Sequence, residues 1–322
     1  VLPRKSKKAE MLGTQEDANV FMRKLATDFA YQVRLFEGLI DKVVWTIDSR
    51  SWRKDFYPEA EYKGNRKQDS SINWANFSKV TEEFTQLLIK QGVIYSKVNG
   101  AEGDDLMYAW NTESLANDKS VIMFTGDKDL VQLVNKSQNN NTHTILFSPA
   151  HKKLYTYQGM IDQVKILKAL KLPDQRTPEW YAMRKNKLTA SSFADALGKG
   201  HFKSREQSIL DKIVDTPFVE NPITEWGVKY EEVATRFYEY LTKSKIYEFG
   251  LIPHPEFPAF GASPDGICDT DSPPQYIGRM LEIKCPKSRK LNGFVPEYYL
   301  AQVQGQLEVC DLEYCDFLEC NI

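Results

Sequence analysis

Short apolar runs alternate with segments of helical periodicity through the first half of this 322-residue chain. Residues 43–47 form one such run and residues 121–124 form another, and an acidic residue follows each run within three positions. Between them, residues 74–90 carry apolar side chains at the spacing of an amphipathic helix. Buried strands that alternate with helices are typical of an α/β layer, so this half is predicted to contain a mainly parallel sheet.

The pattern changes near residues 158–178, where a lysine-bearing helical segment runs into two prolines. A chain of this length holds about two domains at roughly 150 residues each, and we predict them at 1–165 and 176–322. The second domain is expected to be α+β, with a mostly antiparallel sheet. Its expected elements are helices at 178–197, 204–214, 224–243 and 296–309, and strands at 247–252, 259–267, 279–284 and 314–320.

Composition excludes several classes of protein. No run of about 18 apolar residues is present, which argues against a membrane-spanning helix. The five cysteines lack the spacings of a disulfide framework or a zinc site, so we expect reduced thiols in a cytoplasmic protein. The four histidines are scattered, which argues against a histidine metal site and against a Ser-His-Asp hydrolase. Any metal would then be held by carboxylates, which favours Mg²⁺ or Mn²⁺.

Acidic residues follow three predicted strands in the first half, at 43–47, 93–95 and 121–124. Because the carboxyl ends of parallel strands meet at one edge of a sheet, these acids are expected to lie close together. Clustered carboxylates repel one another unless cations bind between them, as in two-metal phosphodiester hydrolysis. For each group alone, a helix cap or a turn is the alternative. The six acids are Asp48, Glu102, Asp104, Asp105, Asp127 and Asp129.

A basic and aromatic segment lies between the first two acidic groups. The formal net charge of the chain is only −2, yet residues 50–67 hold six basic against three acidic side chains, interleaved with aromatic residues. This segment, which includes Arg53, suits phosphate contacts and base stacking. A solvated loop is the alternative.

The order of these motifs resembles the flap endonuclease / 5′-3′ exonuclease family, especially its phage RNase H type. The motifs are the strand ending in Asp48, Trp-Arg-Lys-Asp-Phe-Tyr-Pro and Tyr-Lys-Gly-Asn-Arg-Lys within 52–67, Ala-Glu-Gly-Asp-Asp at 101–105, and Thr-Gly-Asp-Lys-Asp-Leu-Val-Gln-Leu at 125–133. The resemblance covers about residues 16–165 and implies a PIN/FEN-like fold with the six acids at or beside the metals. It implies that Lys63 and Arg66 lie at the base of the helical arch that admits the 5′ strand.

This first site is expected to be incomplete at both ends. Nothing in residues 1–15 matches the family's first strand and its aspartate, and Asp174 is a poor substitute for the late aspartates of the family's helix-hairpin-helix. Either this half has lost activity, or the chain is a trimmed or joined form of a longer protein.

A Glu-x-Lys tripeptide lies on a predicted strand of the second half, so that Glu282 and Lys284 face the same side of the sheet. The turn at 261–266 presents Asp265 beside that strand, and an amphipathic helix leaves Glu231 at the edge of its apolar stripe. Three carboxylates can hold a divalent ion. Lys284 would orient or deprotonate the attacking water, or stabilise the charge of the phosphorane.

A predicted helix follows, on which Gln302 and Gln306 form an i, i+4 pair on one face. Glutamines on a surface helix are usually solvated, so this pair alone indicates little.

Five ordered motifs resemble the lambda-exonuclease-like viral recombinase family (YqaJ type) of the PD-(D/E)XK nucleases. They lie at 180–184 with 188–191, 226–231, 263–266, 282–284 and 299–304, and together they cover about residues 176–320. The resemblance implies a restriction-endonuclease-like α+β fold. The catalytic set that it implies is Glu231, Asp265, Glu282 and Lys284. It further implies 5′-phosphate contacts from Arg184 and Ser191, and an active-site helper in Gln302 or Gln304.

Together these features predict a two-domain, Mg²⁺-dependent DNA nuclease of phage or viral type, acting 5′ to 3′ with flap or structure-specific activity in DNA replication and recombination. The expected substrates are duplex ends, flaps and RNA–DNA hybrids, and the expected partner is a single-strand-annealing or single-strand-binding protein. We expect no membrane association, a location in the cytoplasm of the infected host cell, and a surface compatible with an oligomer. Two alternatives stay open: a nucleic-acid-binding scaffold with one or both sites inactive, and RNA primer removal by the first domain.

Overall fold

The computed structural model describes residues 12–56, 69–136, 142–149, 152–214, 222–291 and 293–321. The chain forms two compact units. The first extends over Val1–Leu133 with Ser137–Leu154, and the second over Val134–Lys136 with Tyr155–Ile322. Within the described ranges, no helix is both long and apolar enough to cross a membrane.

The first helix in the described part of the chain begins at a capping residue, Thr14. The Thr14 hydroxyl accepts a hydrogen bond from the Asp17 amide at 3.1 Å, while the Asp17 carboxylate accepts one from the Thr14 amide, which forms a capping box. The elements run in the order α1 (Gln15–Arg34), β1 (Val44–Thr46), α2 (Arg53–Phe56), α3 (Trp74–Lys90), β2 (Ile94–Ser96), α4 (Gly103–Ala116), β3 (Val121–Phe124), a 3₁₀ turn (Lys128–Leu133), β4 (Asn135–Lys136), β5 (His143–Ser148) and β6 (Lys153–Tyr155).

Two strand pairs of the first unit are parallel, as predicted. β1 pairs in parallel with β2, with Val44 opposite Ile94, and β3 pairs in parallel with β5, with Val121 opposite Thr144. An edge-to-face cluster of three aromatic rings ties β1 to α1 and α3. The Phe29 ring lies 6.1 Å from Trp45 and 6.0 Å from Phe84, measured between ring centroids.

The second part of the chain combines helices of 4 to 21 residues with strands of two to five residues. Its α6 begins at Pro178, directly after Thr177, whose hydroxyl accepts from the Trp180 amide. The elements are α5 (Tyr157–Lys168), α6 (Pro178–Lys185), β7 (Leu188–Thr189), a 3₁₀ turn (Ala190–Ser192), α7 (Phe193–Ala196), α8 (Arg205–Ile213), α9 (Pro222–Thr242), β8 (Ile246–Tyr247), β9 (Ile252–Pro253), β10 (Phe260–Ala262), β11 (Gly266–Cys268), β12 (Met280–Lys284), α10 (Glu297–Cys310) and β13 (Cys315–Glu319).

Strand β12 lies inside the larger sheet of the second unit. It pairs antiparallel with β11, which pairs antiparallel with β8, and it pairs in parallel with β13. In a smaller sheet, β10 pairs antiparallel with β9 and in parallel with β7. The predicted α+β arrangement of the second half is confirmed, with a mixed sheet in which antiparallel pairings are the more frequent among the described strands.

Three predicted elements of the second half are interrupted. The strand expected over 259–267 is split into β10 and β11, which belong to different sheets. The helix expected over 178–197 ends at Lys185, because the Leu188 amide donates to the Ala259 carbonyl at 2.8 Å and the chain joins β10 as a strand. The strand expected over 247–252 is split into β8 and β9. Between them, Gly250 contacts the backbone of Pro173 so closely that an added Cβ would lie 2.0 Å from the Pro173 carbonyl oxygen.

The core of the second unit forms between the larger sheet, α5 and α10. Ile267 and Met280 are fully buried there, together with Val309 of α10 and Val164 of α5. Helix α5 begins within the predicted first domain, 1–165, but packs as part of the second unit.

The cysteines are free, as expected for reduced thiols. Cys268, Cys285 and Cys310 are buried, and burial raises the pKa of the Cys310 thiol. These thiols act as small apolar groups of the core.

A substitution at Gly305 tests how tightly α10 packs against Phe193. A Cβ at this position would lie 2.4 Å from two ring atoms of Phe193. We therefore expect Gly305→Ala to reduce the free energy of unfolding by about 1–3 kcal/mol through overpacking. The matched control is Gly227→Ala on α9, where a Cβ meets nothing within 4 Å, and where the higher helix propensity of alanine should stabilise by up to about 1 kcal/mol. Urea unfolding measures both, and stabilisation by both variants would contradict this packing.

Candidate functional site

Strand β12 carries the Glu-x-Lys pair on one face. Glu282 is 1% exposed, and its Oε1 forms an ion pair with the Lys284 ammonium. The aromatic ring of Tyr299 lies 5.0 Å from the Lys284 nitrogen, which adds a cation–π contact. A fully buried carboxylate is therefore held next to a half-buried cation.

The turn between β10 and β11 brings Asp265 to this strand. Its Oδ2 accepts a hydrogen bond from the Ile283 amide at 2.6 Å, the residue between Glu282 and Lys284. The next residue must be glycine, because a Cβ on Gly266 would lie 2.2 Å from a methyl group of Ile246. The predicted convergence of Asp265 with the Glu-x-Lys strand is thus present in the structure.

Two glutamines of α10 hold the Glu282 carboxylate. The Gln302 amide nitrogen donates to Oε1 at 2.5 Å, and the Gln306 amide nitrogen donates to Oε2 at 2.7 Å. Gln304, the other predicted helper, is exposed. The second glutamine on Glu282 is therefore Gln306, and the i, i+4 spacing from Gln302 is the sequence signal that indicates it.

Glu231 lies on α9, and a residue of the segment before α6 holds its side chain. The Arg176 guanidinium donates to its Oε2 at 2.6 Å. Arg176 has φ +67°, in the left-handed region that non-glycine residues rarely adopt. The side-chain amide of the neighbouring Gln175 donates a hydrogen bond to the carbonyl oxygen of Pro264 at 3.1 Å. Pro264 directly precedes Asp265. Two consecutive residues of this segment thus contact two of the predicted motifs, and no sequence pattern indicated either.

Burial governs the protonation of the site. Burial raises the pKa of Asp265 well above its usual range, and the charges of Glu282 and Glu231 raise it further, while Lys284 acts in the opposite direction. For Lys284, burial lowers the pKa, but the charges of Glu282 and Asp265 outweigh burial and leave it above its ordinary value. Lys284 is therefore protonated at neutral pH, which favours orienting water or stabilising charge over removing a proton.

The donor set of this site fits a divalent cation. The carboxylates of Asp265 and Glu282 are hard oxygen ligands, and Glu231 is close enough for its charge to affect the pKa of Asp265. The Oε1 atom of Gln306 is buried and has no hydrogen-bond partner within the described part of the chain, so an uncommitted amide oxygen accompanies the acids.

Arg184 and Ser191, the predicted phosphate contacts, come together at a cleft of about 360 Å³. The Arg184 guanidinium donates to the Ser191 hydroxyl at 3.2 Å and lies 4.4 Å from the centre of the Trp180 ring. This places a guanidinium and a hydroxyl side by side, as recognition of a phosphate requires.

In the first unit, three of the six predicted acids form a cluster. The ligand oxygens of Glu102, Asp104 and Asp105 all lie within 4.8 Å of one another. The helix-cap alternative also holds, since the Asp105 carboxylate accepts from the Glu102 amide at 3.0 Å at the start of α4. Asp48 accepts from the neighbouring Gly103 amide at 2.6 Å.

Arg53 lies on this cluster. Its guanidinium donates to both oxygens of Asp105, at 2.8 and 3.1 Å, and to Glu102 at 3.1 Å. The hydrogen bonds from Arg53 are the largest cause of a lowered pKa at Asp105. Arg53, which the sequence predicts to contact nucleic acid, thus compensates the charge of Glu102 and Asp105. Its contact with nucleic acid stays a prediction.

The other predicted acids of the first half, Asp48, Asp127 and Asp129, are not part of that three-acid cluster. Asp127 accepts from the Asp129 amide at 2.9 Å and donates its own amide to the Thr125 hydroxyl, which is a turn arrangement. Lys63 and Arg66 lie outside the described residues.

Comparison with known families bears out both predicted resemblances. Residues 20–165 match the model of the 5′-3′ exonuclease, N-terminal resolvase-like domain, and residues 179–313 match the model of the YqaJ-like viral recombinase domain. The chain therefore joins two segments of nuclease type, and the class of protein predicted from the sequence is confirmed.

Relatives of this chain occur in large DNA viruses. The chain is 36% identical over 199 residues to uncharacterized protein R354 of Acanthamoeba polyphaga mimivirus, which covers 56% of this chain and 36% of that protein. It is 24% identical over 160 residues to protein D345L of African swine fever virus (strain Badajoz 1971 Vero-adapted), covering 42% and 46%. The chain thus spans between a third and a half of the length of these curated relatives.

Two solved structures are also similar. An alkaline exonuclease (LHK-Exo) from Laribacter hongkongensis is 30% identical, with a TM-score of 0.38, covering 45% of this chain and 74% of that one. A T5 5′-exonuclease with bound zinc is 18% identical, with a TM-score of 0.34, covering 45% and 53%.

The raised pKa of Asp265 predicts proton-linked metal binding. A cation binds the ionised carboxylate, so binding releases a proton wherever the pH lies between the ordinary aspartate pKa and the raised value. We expect the affinity for Mn²⁺, measured by calorimetry, to rise with pH across that window, and Asp265→Asn to weaken binding and remove this pH dependence. Asp105 of the first unit makes no such contribution because its pKa is lowered. An unchanged pH dependence in Asp265→Asn would contradict this assignment.

Proposed function

We propose that this chain is a divalent-metal-dependent nuclease that hydrolyses phosphodiester bonds in DNA, with its catalytic centre in the second unit. The observation that carries the proposal is the convergence of Asp265, Glu282 and Lys284. A backbone hydrogen bond ties the first to the strand of the other two, and two glutamines fix the Glu282 carboxylate. Glu231 completes the set of acids.

We take Mg²⁺ as the working metal, since carboxylate and amide oxygens are the ligands present. Asp265 and Glu282 would hold it, with Glu231 nearby. When bound, such an ion lowers the pKa of a water molecule and neutralises negative charge on a phosphate.

The side chains around the metal position have separable roles. Gln302 and Gln306 donate to opposite oxygens of Glu282 and so fix the orientation of its carboxylate. Lys284 remains protonated, and its ammonium can hold an attacking water or stabilise the charge that develops on the phosphorus oxygens. Tyr299 covers this ammonium and limits its access to bulk water.

Digestion from a 5′ end is supported by the cleft at Arg184 and Ser191. A guanidinium and a hydroxyl that face one cleft form a suitable cradle for a terminal phosphate. The viral relatives fit a role in replication or recombination of viral DNA in an infected cell, with a cytoplasmic location and a single-strand-annealing or single-strand-binding partner as further proposals.

For the first unit, a second candidate function has its own support. Arg53 occupies Glu102 and Asp105 with charge-assisted hydrogen bonds, so these acids are compensated without a metal. This favours a unit that binds branched DNA without cutting it over flap cleavage or removal of RNA primers.

Glu282→Gln tests the catalytic centre. This change keeps the shape of the side chain but removes the charge, and we expect Mg²⁺-dependent digestion of linear 5′-phosphorylated duplex to fall by about 100-fold or more. Glu308→Gln, at an exposed position of the same helix α10 that supplies the glutamines, is the control and should keep full activity. If Glu282→Gln digests the duplex at the wild-type rate, and circular dichroism shows that both variants are folded, the catalytic centre lies elsewhere in the chain.

The role of the first unit can be tested in the Glu282→Gln background. We expect this protein to bind flap DNA and RNA–DNA hybrids with undiminished affinity but to cleave neither of them. If Mg²⁺-dependent cleavage persists and is abolished by adding Asp127→Asn with Asp129→Asn, the first unit is an active nuclease and the binding role is wrong.

A further inference from the structure

The segment at residues 174–177, between α5 and α6, contacts two elements that carry predicted metal ligands. The Gln175 side-chain amide donates to the carbonyl oxygen of Phe249 at 2.9 Å and to that of Pro264 at 3.1 Å. Pro264 directly precedes Asp265. The position of residue 175 is therefore fixed relative to the turn that presents Asp265.

The other end of this segment is fixed as well, at the start of α6. The Thr177 hydroxyl donates to the Asp174 carbonyl oxygen at 2.8 Å and accepts from the Trp180 amide at 3.3 Å. The indole nitrogen of Trp180 in turn donates to the Ser263 hydroxyl at 3.1 Å. Arg176 thus lies between two residues that hydrogen bonds hold in place, so its backbone has little freedom to move.

Arg176 is the residue of this segment that reaches α9. Its guanidinium donates to Oε2 of Glu231 at 2.6 Å, and the two side chains are 44% and 26% exposed. An ion pair with this exposure contributes little to the free energy of unfolding. The backbone of Arg176 has φ +67°, a conformation that suits glycine and disfavours a residue with a Cβ. Stability alone therefore does not account for an arginine at this position.

The contact with Arg176 leaves one oxygen of Glu231 open. Among the described residues, no other side chain donates a hydrogen bond to this carboxylate. Arg53 of the first unit differs, because it donates to both oxygens of Asp105 and so covers the carboxylate that it contacts. Glu231 is also close enough for its charge to act on Asp265. A cation held by Asp265 would thus have a second carboxylate nearby, restrained at one oxygen and open at the other.

We propose that Arg176 is a positioning residue of the metal centre, which holds Glu231 by one oxygen so that the other oxygen stays available to a divalent cation at Asp265 and Glu282. The inference rests on the proposed function, since it assigns a role toward the same metal. It makes the arginine a support of cation binding, although its charge alone would oppose a cation. A guanidinium that competed with the cation for Glu231 would have the opposite effect, so the sign of the change in affinity separates the two cases.

Calorimetric titration of Mn²⁺ into the full chain without DNA measures this role, and only the binding event that Asp265→Asn removes is compared. Arg176→Gly is the test variant, because glycine suits the left-handed backbone and the change removes only the side chain. We expect it to weaken Mn²⁺ binding about fivefold, the size that one partly exposed ion pair allows. In a Glu231→Gln background the same substitution should leave the affinity unchanged, because Arg176 acts through that carboxylate.

Further measurements separate positioning from folding and from DNA contact. The urea midpoint of Arg176→Gly should equal or exceed that of the wild type, since little stability is lost and an unfavourable backbone conformation is relieved. The Kd for duplex DNA in EDTA should be unchanged, whereas the Mg²⁺ concentration for half-maximal digestion should rise about fivefold. Arg236→Ala removes a guanidinium that pairs with Glu239 on α9 itself, and this control should bind Mn²⁺ as the wild type does.

The results that overturn the proposal are distinct. A rise in Mn²⁺ affinity would mean that the guanidinium competes with the cation, and an equal loss in the Glu231→Gln background would mean that Arg176 does not act through that carboxylate. An unchanged affinity, a lower urea midpoint or weaker binding of DNA in EDTA overturns it as well. Failure of the proposed function is a separate result, because Asp265→Asn then leaves the Mn²⁺ binding of the wild type intact, whatever Arg176→Gly does.

Discussion

The buried carboxylate of Glu282 is the constraint on which the second unit depends. A carboxylate that is 1% exposed is strongly unfavourable unless hydrogen bonds and charge compensate it. Lys284 supplies the charge, and Gln302 and Gln306 supply one donor to each oxygen. These contacts fix the distance between β12 and α10, while Asp265 joins the same strand through a backbone amide. The residues that pack β12 against α10 are thus the same residues that assemble the site.

In the first unit, the negative charge of the acidic residues is compensated in a different way. There the acids cluster at the start of α4, where the helix dipole favours negative charge, and Arg53 neutralises two of them. A cation is therefore already present among these acids, supplied by the chain itself. In the second unit, by contrast, the pKa of Asp265 is raised, and the amide oxygen of Gln306 has no hydrogen-bond partner among the described residues, so these groups suit an added metal.

Sequence patterns predicted the elements whose side chains alternate or repeat with a fixed period. The parallel strands of the first half were predictable because they are short apolar runs, and the strand of Glu282 and Lys284 was predictable because it places two polar side chains on one face. The i, i+4 spacing paired Gln306 with Gln302 but did not indicate that Glu282 is their partner. The contact of Arg176 with Glu231 was not predicted, since it depends on which faces of distant segments meet. The break in the helix expected over 178–197 is of the same kind, because a long-range hydrogen bond from Leu188 to Ala259 overrides local propensity.

We propose that the acids of the second unit form the metal centre of a nuclease. Anomalous diffraction from crystals of the full chain grown with Mn²⁺ measures this most directly. We predict a peak bound by Asp265 and Glu282 that is absent from crystals of Asp265→Asn. A peak confined to Glu102 and its neighbours in the first unit, with none at Glu282, would contradict the account.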